Sequence, residues 1–263
     1  MNNNIAIEVK NITKTFGSIV ANNDVTMDIR KGEILAVLGE NGSGKTTLMN
    51  MLAGIYYPDS GTIYVDGEEK VIASPKDAFA CGIGMIHQHF KLVDVFTATE
   101  NIVLGIGCKY NLKAAEKRIV EMSERYGFDI DPDMKIYDMS VSQKQTVEIV
   151  KVLYRGADIL ILDEPTAVLT PQETDKLFAV MRNMKADGKS LIIITHKLHE
   201  VLDVSDRVAV LRKGEYIGDV LTKDADQQSL TDMMVGHSVS LNINRPTPVN
   251  VEPRLKIEGL TVF

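Results

Sequence analysis

The chain has 263 residues, with 44% hydrophobic and 25% charged side chains, values that exclude disordered and fibrous proteins and allow one or two globular domains. Its 36 acidic residues outnumber its 29 basic residues, and the net charge of −7 argues against a nucleic-acid partner, which favours a basic surface. Two cysteines, no signal-peptide pattern and no apolar run near the ~20 residues of a membrane span predict a soluble protein of a reducing compartment, without a disulfide framework.

The beginning of the chain carries the pattern of strands and turns. Apolar residues alternate with polar or small ones over Ile5–Val9, which predicts a half-buried strand. Thr62–Val65 leads into Asp66-Gly67, a dipeptide that favours a tight hairpin turn. Between them, Glu33–Leu38 is mostly apolar, as in a strand buried on both faces. This strand runs directly into the glycine-rich segment Gly39–Thr46, and apolar residues at helical spacing follow.

The middle of the chain, about residues 91–155, is predicted to be mainly helical. Ile119, Met122 and Tyr126 fall on one helical face, and charged residues fall elsewhere. Such an apolar stripe is typical of the packed face of a small helical subdomain, which we favour over a cofactor site.

The last third of the chain alternates strands with helices. Ile159–Leu162 and Leu191–Thr195 are short apolar runs, and a helix is predicted between them over Pro171–Lys185. Its start is marked by Thr170 as the cap and by Glu173, which completes a capping box. Buried strands that alternate with helices predict a mainly parallel α/β core. An antiparallel hairpin is expected to close this unit at residues 208–220.

The tail indicates how the chain is divided. From residue 236 to 254 periodicity is lost and prolines accumulate, as in a linker. Leu255–Thr261 then repeats the hydrophobic pattern of Ile7–Thr13, either by coincidence or because a second copy of the domain begins here. We expect a domain over residues 1–235, the linker, and the truncated start of a second domain at 255–263.

The segment Gly39–Thr46, hereafter the phosphate loop, matches the pattern G-x-x-x-x-G-K-[ST], with a buried strand before it and a helix after it. In such loops, backbone N–H groups and the start of the helix point at phosphate oxygens. Lys45 then reaches the β- and γ-phosphates, and the Thr46 hydroxyl ligates Mg²⁺. The alternative, a glycine-rich turn with an exposed lysine, is disfavoured by this context. The candidate nucleotide-binding residues are Gly39, Glu40, Asn41, Gly42, Ser43, Gly44, Lys45, Thr46 and Thr47.

The phosphate loop alone does not separate kinases, GTPases and transport ATPases, and a second group of residues narrows the choice. Asp163 and Glu164 end the buried strand Ile159–Leu162, where Asp163 can hold the Mg²⁺ shell and Glu164 can orient or deprotonate an attacking water. His196 ends another buried strand, where ligands bind in open α/β sheets. The simpler alternatives are a solvated pair of carboxylates and a structural histidine.

Taken in this order, the motifs resemble those of the nucleotide-binding domain of ABC transporters, over about residues 5–235. Gln88 and the stretch Met139–Gln143, hereafter the signature segment, belong to the same set. The resemblance implies an α/β fold: a P-loop NTPase (RecA-like) core with an N-terminal antiparallel β subdomain and an inserted α-helical subdomain. It also implies hydrolysis of ATP with Mg²⁺ between two such domains arranged head to tail.

The resemblance also implies roles for single residues. Phe16 matches the aromatic residue that stacks on adenine, and Gln88 matches the glutamine that contacts Mg²⁺ and links the site to the helical subdomain. Glu164 matches the catalytic base and His196 the switch histidine. The implied catalytic residues are then Glu164, His196 and Lys45. The implied metal ligands are Thr46, Gln88 and Asp163.

The signature segment departs from the family pattern Leu-Ser-Gly-Gly-Gln. Ser140 and Gln143 remain, but Val141 and Ser142 replace the two glycines. In the family this segment covers the phosphate loop of the partner domain, which makes Ser140, Ser142 and Gln143 candidate nucleotide contacts. Since β-branched Val141 limits how closely the backbone approaches a ligand, we expect the composite site that uses this segment to be weaker than its twin.

The stretch Asp163–Thr170 looks like the subgroup that serves simple-sugar and nucleoside importers, in which one chain carries two ATPase domains in tandem. The implied location is peripheral, on the cytoplasmic side of the plasma membrane. The implied partners are transmembrane permease subunits, a second ATP-binding domain and, indirectly, a periplasmic or lipoprotein solute-binding protein. Two alternatives stay open: a degenerate half with a regulatory or structural role, and a soluble ABC ATPase outside transport.

Overall fold

The computed structural model describes residues 4–106 and 111–237, together with positions 256, 258, 259 and 261. The strands are β1 (Ile5–Phe16), β2 (Ile19–Arg30), β3 (Ile34–Leu38), β4 (Ser60–Val65), β5 (Glu68–Lys70), β6 (Ile83–Ile86), β7 (Ile159–Asp163), β8 (Ser190–Thr195), β9 (Arg207–Arg212) and β10 (Glu215–Leu221). The helices are α1 (Lys45–Leu52), α2 (Pro75–Ala80), α3 (Ala98–Val103), α4 (Leu112–Tyr126), α5 (Val141–Tyr154), α6 (Pro171–Ala186), α7 (Leu198–Val204) and α8 (Gln227–Val235). Short 3-10 turns lie at Ile136–Asp138 and Thr222–Asp224.

The strands form two sheets. A four-stranded antiparallel sheet has the order β2-β1-β4-β5, and a six-stranded sheet has the order β10-β9-β3-β8-β7-β6. The strands from β9 to β6 in the second sheet are parallel, and β10 is an antiparallel edge. The carboxyl ends of β3, β8, β7 and β6 therefore meet at one edge of the sheet, where ligands bind in folds of this kind.

The turn between β4 and β5 follows from its sequence. Asp66 and Gly67 have φ values of 53° and 80°, the left-handed conformations that a two-residue hairpin turn requires. Val65 pairs with Glu68 directly across the turn. The hairpin predicted from this dipeptide is confirmed.

Strand β3 lies at the centre of the core, and its five residues are all buried. Leu35 and Val37 face a cluster shared with the antiparallel sheet and α1. Ile34, Ala36 and Leu38 face a second cluster, which contains side chains of α5, α6 and α7. Because both faces are covered, the strand is apolar throughout instead of alternating.

The helical insert has a small core of its own, which packs side chains of α3, α4 and α5 around Ile119 and Ile136. Ile119 and Tyr126 are buried and Met122 is half-buried, so the predicted apolar face of α4 is a packing face. An inserted α-helical subdomain is confirmed, although residues 127–140 between α4 and α5 contain only one 3-10 turn.

Helix α6 begins as its sequence predicts. The Thr170 side chain accepts a hydrogen bond from the Glu173 N–H, and the Glu173 carboxylate accepts one from the Thr170 N–H. Pro171 occupies the first turn, where its missing N–H leaves no partner unsatisfied. By contrast, α2, α7, α8 and β6 have no counterpart among the sequence predictions. The predicted linker and the second repeat lie outside the described residues, except for positions 236, 237, 256, 258, 259 and 261.

A buried ion cluster joins the two sheets. The Arg207 guanidinium of β9 is 1% exposed and donates to Glu33 at 2.7 and 3.2 Å. It also donates to the Asp28 backbone carbonyl of β2 at 2.8 Å and to the Asp219 carboxylate of β10 at 3.1 Å. Burial lowers the pKa of Arg207, but the carboxylates of Glu33, Asp219 and Asp28 more than offset this, and the net shift is upward. Arg207 therefore stays charged in the interior.

Within the described part of the chain, none of the helices combines the length and the apolarity that crossing a bilayer requires.

Candidate functional site

The phosphate loop is shaped by glycines that approach neighbouring backbone. Gly44 has φ 95°, and a Cβ atom there would lie 2.3 Å from the Ala21 carbonyl oxygen. A Cβ at Gly39 would lie 2.2 Å from the Leu211 carbonyl oxygen, so both positions exclude larger residues. Helix α1 begins at Lys45, and no side chain caps its N-terminus. Its first N–H groups and its positive dipole end are thus available to an anion.

Lys45 lies under this loop, and only 6% of it is exposed. Its Nζ donates hydrogen bonds to the carbonyl oxygens of Gly39 at 2.7 Å and Glu40 at 2.9 Å. Burial lowers the pKa of Lys45, while the carboxylates of Glu164 and Asp163 act in the opposite direction. The ammonium group is therefore held by backbone dipoles next to two acids.

Asp163 ends β7 beside the start of α1. Its Oδ1 accepts a hydrogen bond from the Thr46 hydroxyl at 3.3 Å, although the two residues lie far apart in sequence. Burial raises the pKa of the Asp163 carboxyl, and the neighbouring Glu164 carboxylate adds to this. The structure thus brings together the oxygens of two of the three predicted metal ligands.

Glu164 follows Asp163 in a left-handed backbone conformation with φ 48°. Its N–H donates to the Ile194 carbonyl at 2.9 Å, which fixes the residue against the end of β8. Its Oε1 lies 2.9 Å from Nδ1 of His196, and its Oε2 is buried and has no hydrogen-bond partner among the residues that the structure describes. The carboxylate is therefore oriented by the histidine and keeps one oxygen free for a further proton donor.

These groups open into one cleft of about 470 Å³. It is lined by the phosphate loop from Asn41 onward, by Thr47, and by the side chains at the ends of β6, β7 and β8, which are Gln88, Asp163, Glu164 and His196. Gly39 and Glu40 are not part of the lining; they contribute the carbonyls that hold Lys45. Ala167, from the stretch Asp163–Thr170, also lines the cleft, as do residues 19–21, which no sequence motif indicated.

Gln88 reaches the cleft because β6 ends two residues earlier. Its neighbour His87 is half-buried, and burial lowers the pKa of that imidazole, with the Lys91 charge acting in the same direction. The predicted ligand set of a hydroxyl, a carboxylate and an amide therefore lines a single cleft. All three supply oxygen ligands, which Mg²⁺ prefers.

Phe16 and the signature segment are not among the residues that line this cleft. Phe16 is 44% exposed, packs edge-on against Tyr56 with ring centroids 5.2 Å apart, and is not part of the cleft lining. The cleft begins three residues further along, at Ile19. The role of Phe16 as an adenine-stacking residue stays a prediction.

The signature segment is also separate from the cleft. Ser140 caps α5, and its hydroxyl accepts from the Gln143 N–H while the Gln143 side chain accepts from the Ser140 N–H. Ser142 and Gln143 line a different, smaller cavity of about 100 Å³. Val141 is exposed at the first position of the helix. Within this chain the segment therefore does not reach the phosphate loop.

A buried polar network under the cleft has no signal in the sequence. Glu200 on α7 is 3% exposed, and its carboxylate accepts from the Thr166 hydroxyl at 2.6 Å and from Lys197 Nζ at 2.9 Å. Lys197 Nζ also donates to the Thr166 carbonyl at 3.0 Å. The segment after Glu164 is thereby tied to the residue that follows His196.

The sheet, the phosphate loop and the acids at the adjoining strand ends define a P-loop nucleoside triphosphate-binding protein. Among the residues that the structure describes, no group of three or more His, Cys, Asp or Glu side chains forms a metal centre by itself.

Comparison with known proteins identifies the family. The family model described as "ABC transporter" matches residues 22–167, more than half of the chain. The chain therefore belongs to the ABC transporter family.

Relatives match along the whole chain. It is 50% identical to the nucleoside import ATP-binding protein NupA of Lactococcus lactis over 100% of this chain and 53% of that protein. It is 49% identical to the guanosine import ATP-binding protein NupO of Bacillus subtilis over 97% of this chain and 51% of that protein. The chain thus spans about half the length of the curated relatives it matches.

A solved structure agrees with the fold. The ADP conformation of MJ1267, an ATP-binding cassette of an ABC transporter, superimposes with a TM-score of 0.76 at 25% identity over 89% of this chain and 99% of that one. The α/β core with an antiparallel β subdomain and a helical insert, expected from the resemblance, is confirmed.

Proposed function

We propose that this chain binds ATP with Mg²⁺ and hydrolyses it, as one ATPase domain of an importer. The observation that carries the proposal is the Glu164 carboxylate, held by His196 at 2.9 Å, with its second oxygen buried, unpartnered and close to Lys45 and Asp163. A largely shielded carboxylate that keeps one oxygen free beside a phosphate-binding loop is a strong candidate for a general base.

The triphosphate is expected to lie on the phosphate loop. The N–H groups at the uncapped start of α1 and the Lys45 ammonium supply donors and positive charge for the β- and γ-phosphates. In the described part of the chain, the hydrogen-bond acceptors of Lys45 are backbone carbonyls, so it can turn to a phosphate without breaking an ion pair.

The residues present fit a magnesium ion. Thr46, Asp163 and Gln88 all line the cleft and offer only oxygen atoms as ligands, and Asp163 already accepts a hydrogen bond from Thr46. When bound, Mg²⁺ neutralises charge on the phosphate oxygens.

The protein's own groups then carry the proton chemistry. Glu164 Oε2 accepts a proton from water as the water oxygen bonds to the γ-phosphorus and the bond to the bridging oxygen breaks, which releases ADP and phosphate. His196 fixes the rotamer of Glu164 through Oε1, and when both ring nitrogens carry a proton the half-exposed imidazole can also donate to the γ-phosphate. Lys45 stabilises the charge on the transferred group.

The transport function rests on the relatives. NupA and NupO are named as import proteins for nucleosides and for guanosine, and a nucleoside is therefore the favoured cargo, with a simple sugar as the alternative. Since those relatives are about twice as long as this chain, we infer a second ATP-binding domain in the full protein. Transmembrane permease subunits and, indirectly, a solute-binding protein complete the importer, and the chain is placed peripherally on the cytoplasmic side of the plasma membrane.

Composite sites between two such domains account for the position of the signature segment. Ser140, Ser142 and Gln143 lie away from this chain's own phosphate loop, as expected if they contact a nucleotide on the partner domain. The exposed Val141 side chain weakens that site because it keeps the backbone from the phosphate.

Glu164→Gln in the assembled importer tests the proposal. We expect ATP turnover to fall by about 10²- to 10⁴-fold because the amide cannot accept the proton, while ATP still binds. Glu69→Gln, a change of the same kind at an exposed position, is the control and should leave turnover unchanged.

A degenerate half that binds ATP without hydrolysing it is the second candidate, and the altered signature segment favours it. In that case Glu164→Gln leaves turnover at the wild-type value. Uptake of labelled guanosine and ribose by the same preparation separates nucleoside from sugar import.

A further inference from the structure

Helix α5 carries a stripe of three polar side chains on its inner side. Gln145 and Glu148 are each 5% exposed, and the side chain of Lys151 is 17% exposed. Their spacing of three residues places them along one side of the helix. Buried polar groups are costly unless they are bonded, so their partners indicate what the stripe does.

Glu148 and Lys151 hold both polar groups of one backbone residue. Glu148 Oε1 accepts the N–H of Lys91 at 2.8 Å, and Lys151 Nζ donates to the carbonyl oxygen of Lys91 at 2.9 Å. The two side chains also contact each other at 3.4 Å. Lys91 lies three residues after Gln88, in the segment that leads from the cleft into the helical subdomain.

Gln145 holds a second segment in the same way. Its Nε2 donates to the carbonyl oxygen of Pro165 at 2.8 Å, and this bond is buried. Pro165 directly follows Glu164. One helix therefore binds the backbone directly after the proposed base and the backbone three residues after a proposed metal ligand.

The three side chains of α5 form hydrogen bonds with main-chain atoms of Lys91 and Pro165, so they fix the path of the backbone in both segments. A buried ion pair is weak support for stability in itself, since apolar residues of similar volume often serve as well. Misplacing a catalytic group by about 1 Å, in contrast, can reduce turnover about 10²-fold. These hydrogen bonds are therefore expected to contribute more to the placement of the segments near Gln88 and Glu164 than to the stability of the domain.

We propose that Gln145, Glu148 and Lys151 are positioning residues that hold the segments of Gln88 and Glu164 in register for ATP hydrolysis. The inference rests on the proposed function and deepens it. None of the three residues lines the cleft of the phosphate loop, although Gln145 lines a smaller cavity of about 90 Å³ together with Gln88 and Glu164. We therefore expect their effect on turnover and not on ATP binding.

Paired substitutions test the two hydrogen bonds to the backbone of Lys91. Glu148→Leu removes the acceptor for the Lys91 N–H, and Glu148→Gln keeps one. Lys151→Met removes the donor to the Lys91 carbonyl, and Lys151→Arg keeps one. We expect the Leu and Met variants to lose about 10- to 100-fold in kcat with ATP affinity unchanged, and the Gln and Arg variants to retain most of it.

Two further comparisons separate positioning from folding. Glu121→Leu changes an exposed carboxylate of the same subdomain, in a loose pair with Lys117 at 3.8 Å, and should leave kcat unchanged. The double variant Glu148→Leu/Lys151→Met should lose no more than the worse single variant, because both side chains hold the same residue. Thermal unfolding reports whether each variant is folded.

Amide hydrogen exchange supplies a readout that does not depend on turnover. Glu148→Leu and Lys151→Met should each speed exchange at Lys91 relative to Glu121→Leu. The inference is overturned if the folded Glu148→Leu and Lys151→Met variants keep the wild-type kcat and the wild-type exchange rate at Lys91. It is also overturned if Glu148→Gln and Lys151→Arg lose as much kcat as the Leu and Met variants. Absence of turnover in the wild type would instead contradict the proposed function, and the exchange result alone would then decide the inference.

Discussion

Replacing Arg207 by Met should destabilise the domain strongly. Arg207 is 1% exposed and neutralises Glu33, which is 7% exposed, so the variant leaves a buried carboxylate without its partner. Breaking a buried pair from one side typically costs about 3–5 kcal/mol. Asp28 and Asp219 add little, because about 29% and 31% of their side chains remain exposed to water. At about 2–4 °C per kcal/mol for a domain of this size, Tm should fall by roughly 6–20 °C.

Urea unfolding of nucleotide-free protein measures the loss. Arg182→Met is the matched control, since Arg182 and Asp203 form a pair at 2.9 Å with side chains 50% and 55% exposed. Such surface pairs contribute about 0–1 kcal/mol. Adding Glu33→Gln to Arg207→Met should recover part of the stability, because the unpaired charge is then gone. If Arg207→Met loses no more than Arg182→Met, the assigned role of the ion cluster is wrong.

Three other predictions follow from local features. Burial and a hydrogen bond to Asp187 raise the pKa of Tyr126 from 10.0 to about 12. The folded state therefore holds the phenolic proton more tightly than the unfolded chain does. The stability that results is present below pH 10.0 and is lost as the pH rises towards about 12. The alkaline decline in urea unfolding should be shallower in Tyr126→Phe; equal slopes refute the coupling. Gly44→Ala should cost more stability than Gly42→Ala, because both have positive φ but only Gly44 has a carbonyl oxygen 2.3 Å from the added Cβ; equal Tm values contradict this. Thr170→Ala should lower stability by about 1 kcal/mol through loss of the α6 cap, and an unchanged unfolding midpoint would count against it.

Features that depend on neighbours in sequence could be predicted. The Asp66-Gly67 turn and the Thr170 cap each depend on the conformational preferences of a few adjacent residues. The phosphate loop is similar, because its glycines and the buried strand before it stand together in the chain. Asp163 and Glu164 could be placed because parallel strands end at one edge of a sheet.

Features that depend on distant partners could not be predicted. No sequence pattern marks Glu148 or Glu200 as buried, yet segments far away in the chain bury both. The wall of the cleft at residues 19–21 is apolar or small and carries no motif. The signature segment could be found from its sequence, but its proposed ligand belongs to another domain.

The backbone at Glu164 has a consequence for how such proteins diverge. A left-handed conformation at φ 48° disfavours any residue with a Cβ by about 1–2 kcal/mol, and a buried oxygen without a partner adds to this. Glycine at this position would relieve the cost of the left-handed conformation and would remove the unpartnered oxygen. Where selection for ATP turnover is lost, Glu164 would therefore be replaced without loss of the folded state. Catalytically inactive domains should then arise repeatedly among duplicated ATP-binding domains.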